Sequence, residues 1–187
     1  MKILFWNVRG INMPSKQREL KRYFMQYNAN IICLLETHVQ RQNFLAISSF
    51  LLPGWPGHNN YEYASLGRIW VFHRHHIQIT VSSVTSQAMH CHTFDSITGK
   101  YFFLSVIYAN SYHKNVRQEL WKELVLINKA LPKVPWLVRG DFNEIRSIDE
   151  RSDWRQSLAL AKSSIFFQNQ LNEAELHDLP SSGSYFT

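Results

Sequence analysis

Acidic and amide side chains follow apolar segments at three places in the chain. Asn7 ends the first apolar stretch, Glu36 ends a second, and Asp141 with Asn143 follows the run 134–138. Carboxylate and amide oxygens are the ligands that a hard cation such as Mg²⁺ prefers. Phosphodiester hydrolysis needs neutralised phosphate oxygens and an aligned water, which a divalent ion and nearby acids supply. These residue types therefore suit metal-assisted cleavage of a phosphodiester.

The elements that must position these residues are strands, with helices between them. Apolar, β-type segments predict strands at 2–8, 30–35 and 134–139, and the unbroken apolar runs in the last two indicate buried strands. Helical spacing predicts four helices: from Pro14 to about Tyr27, from Arg41 to Leu51, from Val116 to Leu131, and from Leu160 to Leu171.

The middle of the chain has a different pattern. Short β-type segments separated by turn residues predict an antiparallel meander with strands at 61–64, 69–73, 77–81, 88–94 and 100–108. Strands flanked by helices at both ends, with a meander between, indicate two packed sheets with helices outside. We expect one domain that spans residues 1–187.

Position alone leaves the roles of these polar residues open. An Asp or Asn after a strand is usually a turn former or a helix cap. Three such strand ends favour a shared site, because strands of one sheet can bring their ends to the same rim. The strand pattern by itself does not decide between these interpretations.

Composition limits the class of protein. Lys and Arg number 20 against 14 acids, and the formal net charge of +6 suits an anionic partner such as nucleic acid without requiring one. Two cysteines are too few for a disulfide scaffold. We find neither a signal peptide nor an apolar run long enough for a membrane span. We therefore expect an intracellular protein, nuclear if functional, with no membrane association and no obligate protein partner.

Six sequence blocks occur in an order that identifies a family. They are Trp6-Asn7-Val8-Arg9-Gly10-Ile11, Leu34-Leu35-Glu36-Thr37-His38, Gly67-Arg68-Ile69-Trp70-Val71, Val106-Ile107-Tyr108-Ala109-Asn110, Gly140-Asp141-Phe142-Asn143-Glu144-Ile145, and Leu179 with Gly183 and Phe186-Thr187. The chain resembles the endonuclease/exonuclease/phosphatase (DNase I-like) superfamily. Within it, the chain is most similar to the apurinic-type endonuclease domains of plant LINE (non-LTR) retrotransposons. The resemblance implies a two-sheet, four-layer α/β sandwich.

The resemblance also implies a metal site and a water-activating group. Glu36 would be the main ligand of Mg²⁺, or of Mn²⁺ in its place, with Asn7 beside it. Asp141 would orient or deprotonate the attacking water, and Asn143 would hold the phosphate. The implied activity is cleavage of DNA, as a nick that primes reverse transcription.

Three further residues acquire roles by the same resemblance, Tyr108 as a catalytic residue and Arg9 and Thr187 as substrate-binding residues. Tyr108 matches a tyrosine that contacts the scissile phosphate, and Thr187 matches a threonine near the site. Arg9 stands where repair-type apurinic endonucleases carry an acid, so we expect it to contact phosphate and to leave a second metal position in doubt.

One departure from the family bears on activity. The family site also uses an Asp on a later strand and a Ser-Asp-His type motif, and no residue here matches them. We therefore expect a C-terminally truncated domain that lacks the last strands, with impaired cleavage. The alternative is an inactive retrotransposon remnant that retains at most nucleic-acid binding. A third interpretation keeps the fold with another substrate, as in deadenylases or inositol-phosphate and sphingolipid phosphoesterases.

Other candidate residues favour plainer interpretations. Charges near turns are usually solvated, so we expect surface positions rather than phosphate contacts for Arg68, Lys100, Lys114 and Arg117. Histidines and a cysteine crowd two neighbouring strands, at His73, His75, His76, His90, Cys91 and His92. Their spacing fits no common structural zinc site, so we favour packing roles with zinc as the weaker alternative.

Overall fold

The computed structural model describes residues 1–147, 158–180 and 182. Within these residues the chain forms two compact units. The first consists of Met1–Tyr108 and Val134–Asp141, and the second of Ala109–Lys133 and Phe142–Thr187.

Two four-stranded sheets make up the first unit. In chain order the strands are β1 (Ile3–Asn7), β2 (Ile31–Leu35), β3 (Gly57–Asn59), β4 (Ile69–His73), β5 (Ile77–Val84), β6 (Ala88–Asp95), β7 (Lys100–Tyr108) and β8 (Trp136–Asp141). The first sheet has the order β1-β2-β4-β3 and the second β5-β6-β7-β8. The pairs β1 with β2 and β7 with β8 are parallel, and the other neighbours are antiparallel.

The core of the first unit lies on both faces of the first sheet. Alternate residues of β2, Ile31, Cys33 and Leu35, pack in one buried cluster with residues of the second sheet such as Leu104 and Val106. The side chains between them pack on the other face against α1 (Pro14–Tyr27) and α2 (Phe44–Leu51). All five residues of β2 are buried as a result, because the strand is covered on both faces.

The second unit contains α3 (Lys114–Ala130) and α4 (Leu158–Glu173). Trp121 of α3, Phe167 of α4 and Phe142 form an aromatic cluster with ring centroids 4.5 to 5.7 Å apart. None of the helices in the described part of the chain is long and apolar enough to cross a membrane.

The two-sheet α/β prediction is confirmed, but one predicted strand is wrong. Residues 61–64 form a turn, because the backbone N–H groups of Tyr63 and Ala64 both donate to the carbonyl oxygen of Asn60. The strand lies earlier, at Gly57–Asn59, and pairs with β4. The aromatic residues at 61 and 63 resemble a strand in sequence, whereas the buried Asn60 fixes the turn.

The predicted meander is divided between the two sheets. β5, β6 and β7 form an antiparallel meander, but β4 pairs with β2 in the first sheet. Every residue of β4 is buried, as befits a strand with neighbours on both edges and cover on both faces. The local sequence predicts the strand correctly but does not specify its partner.

β8 is less buried than the apolar run 134–138 predicts. The strand begins at Trp136 and extends to Asp141, and none of its residues is fully buried. Among the described strands β8 pairs only with β7, so it lies at the edge of the second sheet as far as the described residues extend. Asp141 is therefore the last residue of the strand rather than part of the loop beyond it.

Gly140 allows this edge strand to approach β7 closely. Its φ is 152°, and a Cβ atom at this position would lie 1.9 Å from the carbonyl oxygen of Ile107. Ile107 is the register partner of Gly140, and the next pair is Tyr108 with Asp141. A side chain at 140 would therefore displace the strand that carries Asp141.

We predict that Gly140→Ala lowers the free energy of unfolding by about 2 kcal/mol or more, because backbone atoms must move to relieve the overlap. The matched control is Gly99→Ala, since Gly99 also has a positive φ, 67°, but has open space around its Cα. The control should show only the smaller backbone penalty, about 1 kcal/mol. Urea denaturation of both variants measures the difference, and equal midpoints would contradict the close-approach argument.

Candidate active site

The candidate site lies where four strands of the first unit end. In the first sheet Asn7 pairs with Leu35, the last residue of β2. In the second sheet Tyr108 pairs with Asp141 at the ends of β7 and β8. The side chain of Asn7 joins the two sheets, because its Nδ2 donates a hydrogen bond to Asp141 Oδ2 at 2.8 Å. The strand ends therefore converge, but across two sheets rather than within one sheet as the strand pattern predicted.

Glu36 follows β2 in a strained backbone conformation. Its φ is 58°, in the left-handed region that few residues other than glycine and asparagine adopt. Backbone hydrogen bonds hold it there: its N–H donates to the carbonyl of Arg68 at 2.7 Å, and its carbonyl accepts from the N–H of Gly10 at 2.7 Å. Its side chain is 25% exposed, and Oε1 lies 3.1 Å from His38 Nε2. Such strain commonly accompanies functional sites.

The surroundings of Glu36 favour its ionised form. Burial raises the pKa of the Glu36 carboxyl group, but hydrogen bonds from Asn7 and His38 outweigh that effect. Electrostatic interactions with His38 and Arg9 act in the same direction, and the pKa of Glu36 lies below its ordinary value. Glu36 is therefore a carboxylate at neutral pH, as binding of a divalent cation requires.

Asn7 acts as a bridge between the two carboxylates. Its Nδ2 donates a hydrogen bond to Asp141, and its polar amide also lowers the pKa of the Glu36 carboxyl group. Its Oδ1 accepts a hydrogen bond at 3.1 Å from the N–H of Arg9, a residue that is itself in the left-handed region. The amide N–H groups thus offset the repulsion between two acids at one rim. A direct bond from Asn7 to a metal ion stays a prediction.

The carboxylates present fit a magnesium site in which the protein supplies only some of the ligands. In the described part of the chain no group of three or more His, Cys, Asp or Glu side chains could enclose a metal ion. Glu36 and Asp141 nevertheless supply two carboxylates at the rim. Mg²⁺ commonly takes one or two carboxylates and completes its shell with waters and substrate phosphate oxygens. The residues present therefore suit Mg²⁺ better than a closed structural metal.

Arg68 and His38 belong to the site, although the residue pattern assigned a role to neither. Arg68 is half-buried, and its guanidinium lies 5.5 Å from the ring centre of the buried Tyr108 side chain, so the prediction of a solvated surface position holds only in part. Arg68 reaches this rim because Leu35 pairs with Ile69, which only the sheet topology reveals. The spacing of Glu36 and His38, two residues apart, is a signal that the sequence did contain.

Asn143 lies in the second unit, in a loop with several anchors. Its φ is 46°, and its Nδ2 donates to the carbonyl of Ala109 at 2.7 Å. The next residue, Glu144, forms a largely buried ion pair with Arg117 at 3.2 Å and accepts a hydrogen bond from Ser163 at 2.6 Å. Arg117 is 12% exposed in its side chain, so its predicted surface position is wrong. Thr187 lies outside the described residues.

The remaining candidates pack or are exposed. Lys100 and Lys114 are exposed, in agreement with the surface interpretation. In the histidine group, His90 Nδ1 lies 2.7 Å from Ser105 Oγ, whereas Cys91 belongs to the core between the sheets. These residues therefore have packing partners of their own.

Solved structures with the same fold support this architecture. The chain is similar to humanized D. rerio TDP2, with a TM-score of 0.61, 14% identity, and 79% of this chain and 63% of that chain covered. It is similar to D. rerio TDP2 complexed with single strand DNA product, with a TM-score of 0.57, 15% identity, and coverage of 79% and 62%. The human Nocturnin catalytic domain gives a TM-score of 0.54, 19% identity, and coverage of 78% and 65%.

These similarities define a DNase I-like α/β fold, and the chain spans less than two thirds of the length of each of these structures. No curated protein sequence matches the chain significantly. The sequence profile of the Endonuclease/Exonuclease/phosphatase family matches residues 4–187. The chain therefore belongs to this family, whose members are hydrolases that act on phosphodiester bonds.

We predict that Asn7→Ala raises the pKa of Glu36, because burial then acts with less opposition from hydrogen bonds. In the unaltered chain ionised Glu36 stabilises the fold above the unfolded-state pKa, and that contribution is lost as the pH falls through the lower folded-state pKa. The variant should lose part of this acid-dependent stability. NMR titration of the Glu36 carboxyl group measures the shift, with Asn43→Ala, an exposed asparagine, as control. An unchanged pKa would contradict the bridging role.

We predict that Glu144→Ala destabilises the second unit by about 3 to 5 kcal/mol, because Arg117 is left as a buried, unpaired charge. Glu119→Ala is the matched control, since Glu119 is 71% exposed and pairs with Lys122 on the surface of α3. The control should cost less than about 1 kcal/mol. Thermal or urea unfolding measures both, and a similar loss in the two variants would refute the buried-pair interpretation.

Proposed function

We propose that this chain is a metal-dependent phosphodiesterase that nicks DNA, as an endonuclease of the LINE retrotransposon type. The observation that carries the proposal is the Asn7 amide at one rim of two packed sheets, where it donates a hydrogen bond to Asp141 and lowers the pKa of Glu36. Two acids at one rim, one with a lowered pKa, are the donors that metal-assisted hydrolysis requires. A nuclear location belongs to the same proposal.

Each site residue has a defined part in this proposal. Glu36 would hold Mg²⁺ or Mn²⁺, with Asn7 beside it. The bound ion supplies positive charge that stabilises the phosphate oxygens in the transition state. Asp141, fixed by Asn7, orients the attacking water and accepts its proton.

The substrate is held by the remaining residues that the family resemblance identifies. Tyr108 would contact the scissile phosphate and Arg9 would neutralise a phosphate charge, and the resemblance also implies phosphate binding by Asn143 and a substrate-binding role for Thr187. The exposed side chain and positive φ of Arg9 are compatible with a residue that meets a ligand at the site.

Two observations support DNA as the substrate. The formal net charge is +6, which favours association with a polyanion. A structurally similar protein, D. rerio TDP2, has been solved with a single strand DNA product. Deadenylation and phosphoesterase activity on inositol phosphates or sphingolipids are the competing substrate assignments, and a substrate panel separates them from nicking.

The second candidate function is nucleic-acid binding without cleavage, as expected for an inactive remnant. It is favoured by the basic net charge and by two arginines, Arg9 and Arg68, at the rim. Binding through the phosphate backbone needs these charges but does not need Asp141. Cleavage and binding therefore respond differently to loss of the acid.

We predict Mg²⁺-dependent conversion of supercoiled plasmid to the nicked form. Glu36→Gln and Asp141→Asn should each lower the rate about 100-fold or more, because each removes a group that acts in the transition state. Glu119→Gln, at an exposed position, should nick at the unaltered rate. Gel quantification with Mg²⁺ and with a chelator measures the effect.

The outcome of the same assay separates the two candidates. No nicking above the chelator control, with salt-sensitive DNA binding that survives Asp141→Asn, would favour the binding function. Nicking that is insensitive to both substitutions would reject the proposed site.

A further inference from the structure

Arg68 has an unusual environment for a half-buried cation. Its side chain lies over the ring of Tyr108, with 5.5 Å between the guanidinium carbon and the ring centre. In the described part of the chain its guanidinium makes no hydrogen bond and no ion pair. Other arginines differ: Arg74 bonds the carbonyl of Ala29, and Arg117 pairs with Glu144. The donors of Arg68 are thus available to a ligand.

The backbone of Arg68 is held in place by buried polar groups. Asn60 is fully buried, and its Oδ1 accepts hydrogen bonds from the N–H groups of Arg68 at 2.9 Å and Ile69 at 3.0 Å. On the preceding residue, the carbonyl of Gly67 accepts a hydrogen bond from Thr37 Oγ1. The backbone of Arg68 is therefore fixed immediately before β4 of the first sheet.

The same backbone places Arg68 directly beside the proposed metal ligand. Its carbonyl accepts the N–H of Glu36 at 2.7 Å, while Tyr108 is the register partner of Asp141 in the second sheet. Arg68 thus contacts residues next to both carboxylates, yet it forms an ion pair with neither. The guanidinium group of Arg68 therefore contacts the ring of Tyr108 instead of a carboxylate.

This arrangement suits recognition of a phosphate. An aromatic face attracts a guanidinium group and orients its plane, and the N–H edges stay available. A guanidinium group offers parallel N–H donors that match two oxygens of one phosphate. A cation already fixed by a ring loses less conformational freedom on binding than a solvated lysine would.

We propose that Arg68 binds a phosphodiester group of the substrate through its non-bridging oxygens, with the ring of Tyr108 as its support. This assignment rests on the proposed function, because it takes DNA as the substrate of the same rim. It makes Arg68 a substrate-binding residue of the site rather than one of the dispersed surface charges.

The test compares DNA binding by two charge-removing substitutions, in an Asp141→Asn background that prevents cleavage. Arg68→Gln should weaken binding of a short DNA oligonucleotide about tenfold, as expected for loss of a charge-assisted hydrogen bond. It should also lower the slope of log affinity against log salt by about one. Lys100→Gln removes the same charge at the opposite end of β7, roughly 26 Å away along the strand, and should change neither quantity.

A second measurement separates a phosphate contact from a structural effect. Methylphosphonate linkages, which are uncharged, replace the phosphates of the oligonucleotide one at a time. At one linkage the penalty of Arg68→Gln should disappear, because the partner of the cation is already absent. Arg68→Lys, which keeps the charge without the planar fork, should bind with an intermediate affinity. Equal urea midpoints for the Arg68 variants show that the fold is retained, and the Lys variant carries the test if the Gln variant unfolds.

The outcomes distinguish this inference from the proposed function. Loss of affinity and slope in Arg68→Gln, without nicking by the unaltered chain, supports the Arg68 assignment and rejects the nuclease. Nicking by the unaltered chain, with Arg68→Gln equal to Lys100→Gln in affinity and slope, overturns the Arg68 assignment alone. A penalty that persists at every neutralised linkage also overturns it. A folded chain that binds no DNA overturns both.

Discussion

The hydrogen bond from Asn7 to Asp141 is the interaction on which the candidate site depends. It joins the last residue of a strand in one sheet to the last residue of a strand in the other, and the same amide lowers the pKa of Glu36. Two carboxylates would otherwise repel one another at a half-buried rim. The amide N–H of Asn7 offsets that repulsion and fixes the position of the Asp141 carboxylate, so the chemistry of the rim follows from the packing of the sheets.

The backbone is strained at the rim, directly after strands that are buried in the core. Arg9, Glu36 and His38 all have positive φ, in segments that directly follow β1 and β2. Conformations of this kind cost about 1 to 3 kcal/mol each and persist only where neighbouring structure fixes them. Here the fully buried β2 and the backbone bonds of Glu36 provide that support. Two residues of the motif Gly140-Asp141-Phe142-Asn143 also have structural roles. Gly140 permits the close approach of β8 to β7, and Phe142 packs in the aromatic cluster of the second unit.

Much of the fold could be predicted from local patterns. The unbroken apolar run 30–35 correctly indicates a strand covered on both faces, and helical spacing after Pro14 gives α1. The placement of β4 could not be predicted, because a buried strand has the same sequence pattern in either sheet. The site shows the same limit: Asn7, Glu36 and Asp141 are recognisable as polar strand ends, whereas Arg68 joins them only through the pairing of β2 with β4.

The sequence by itself determined the residue types of the site, the family to which the chain belongs, and most strands and helices. These depend on composition and on short-range spacing, which a linear pattern contains. The tertiary structure decided which strands share a sheet, that the Asn7 amide lies between two carboxylates, and that Arg68 rests on Tyr108 while Arg117 is buried against Glu144. Each of these depends on contacts between residues distant in sequence, and the energy of such contacts is set by burial and by neighbours that no local pattern specifies.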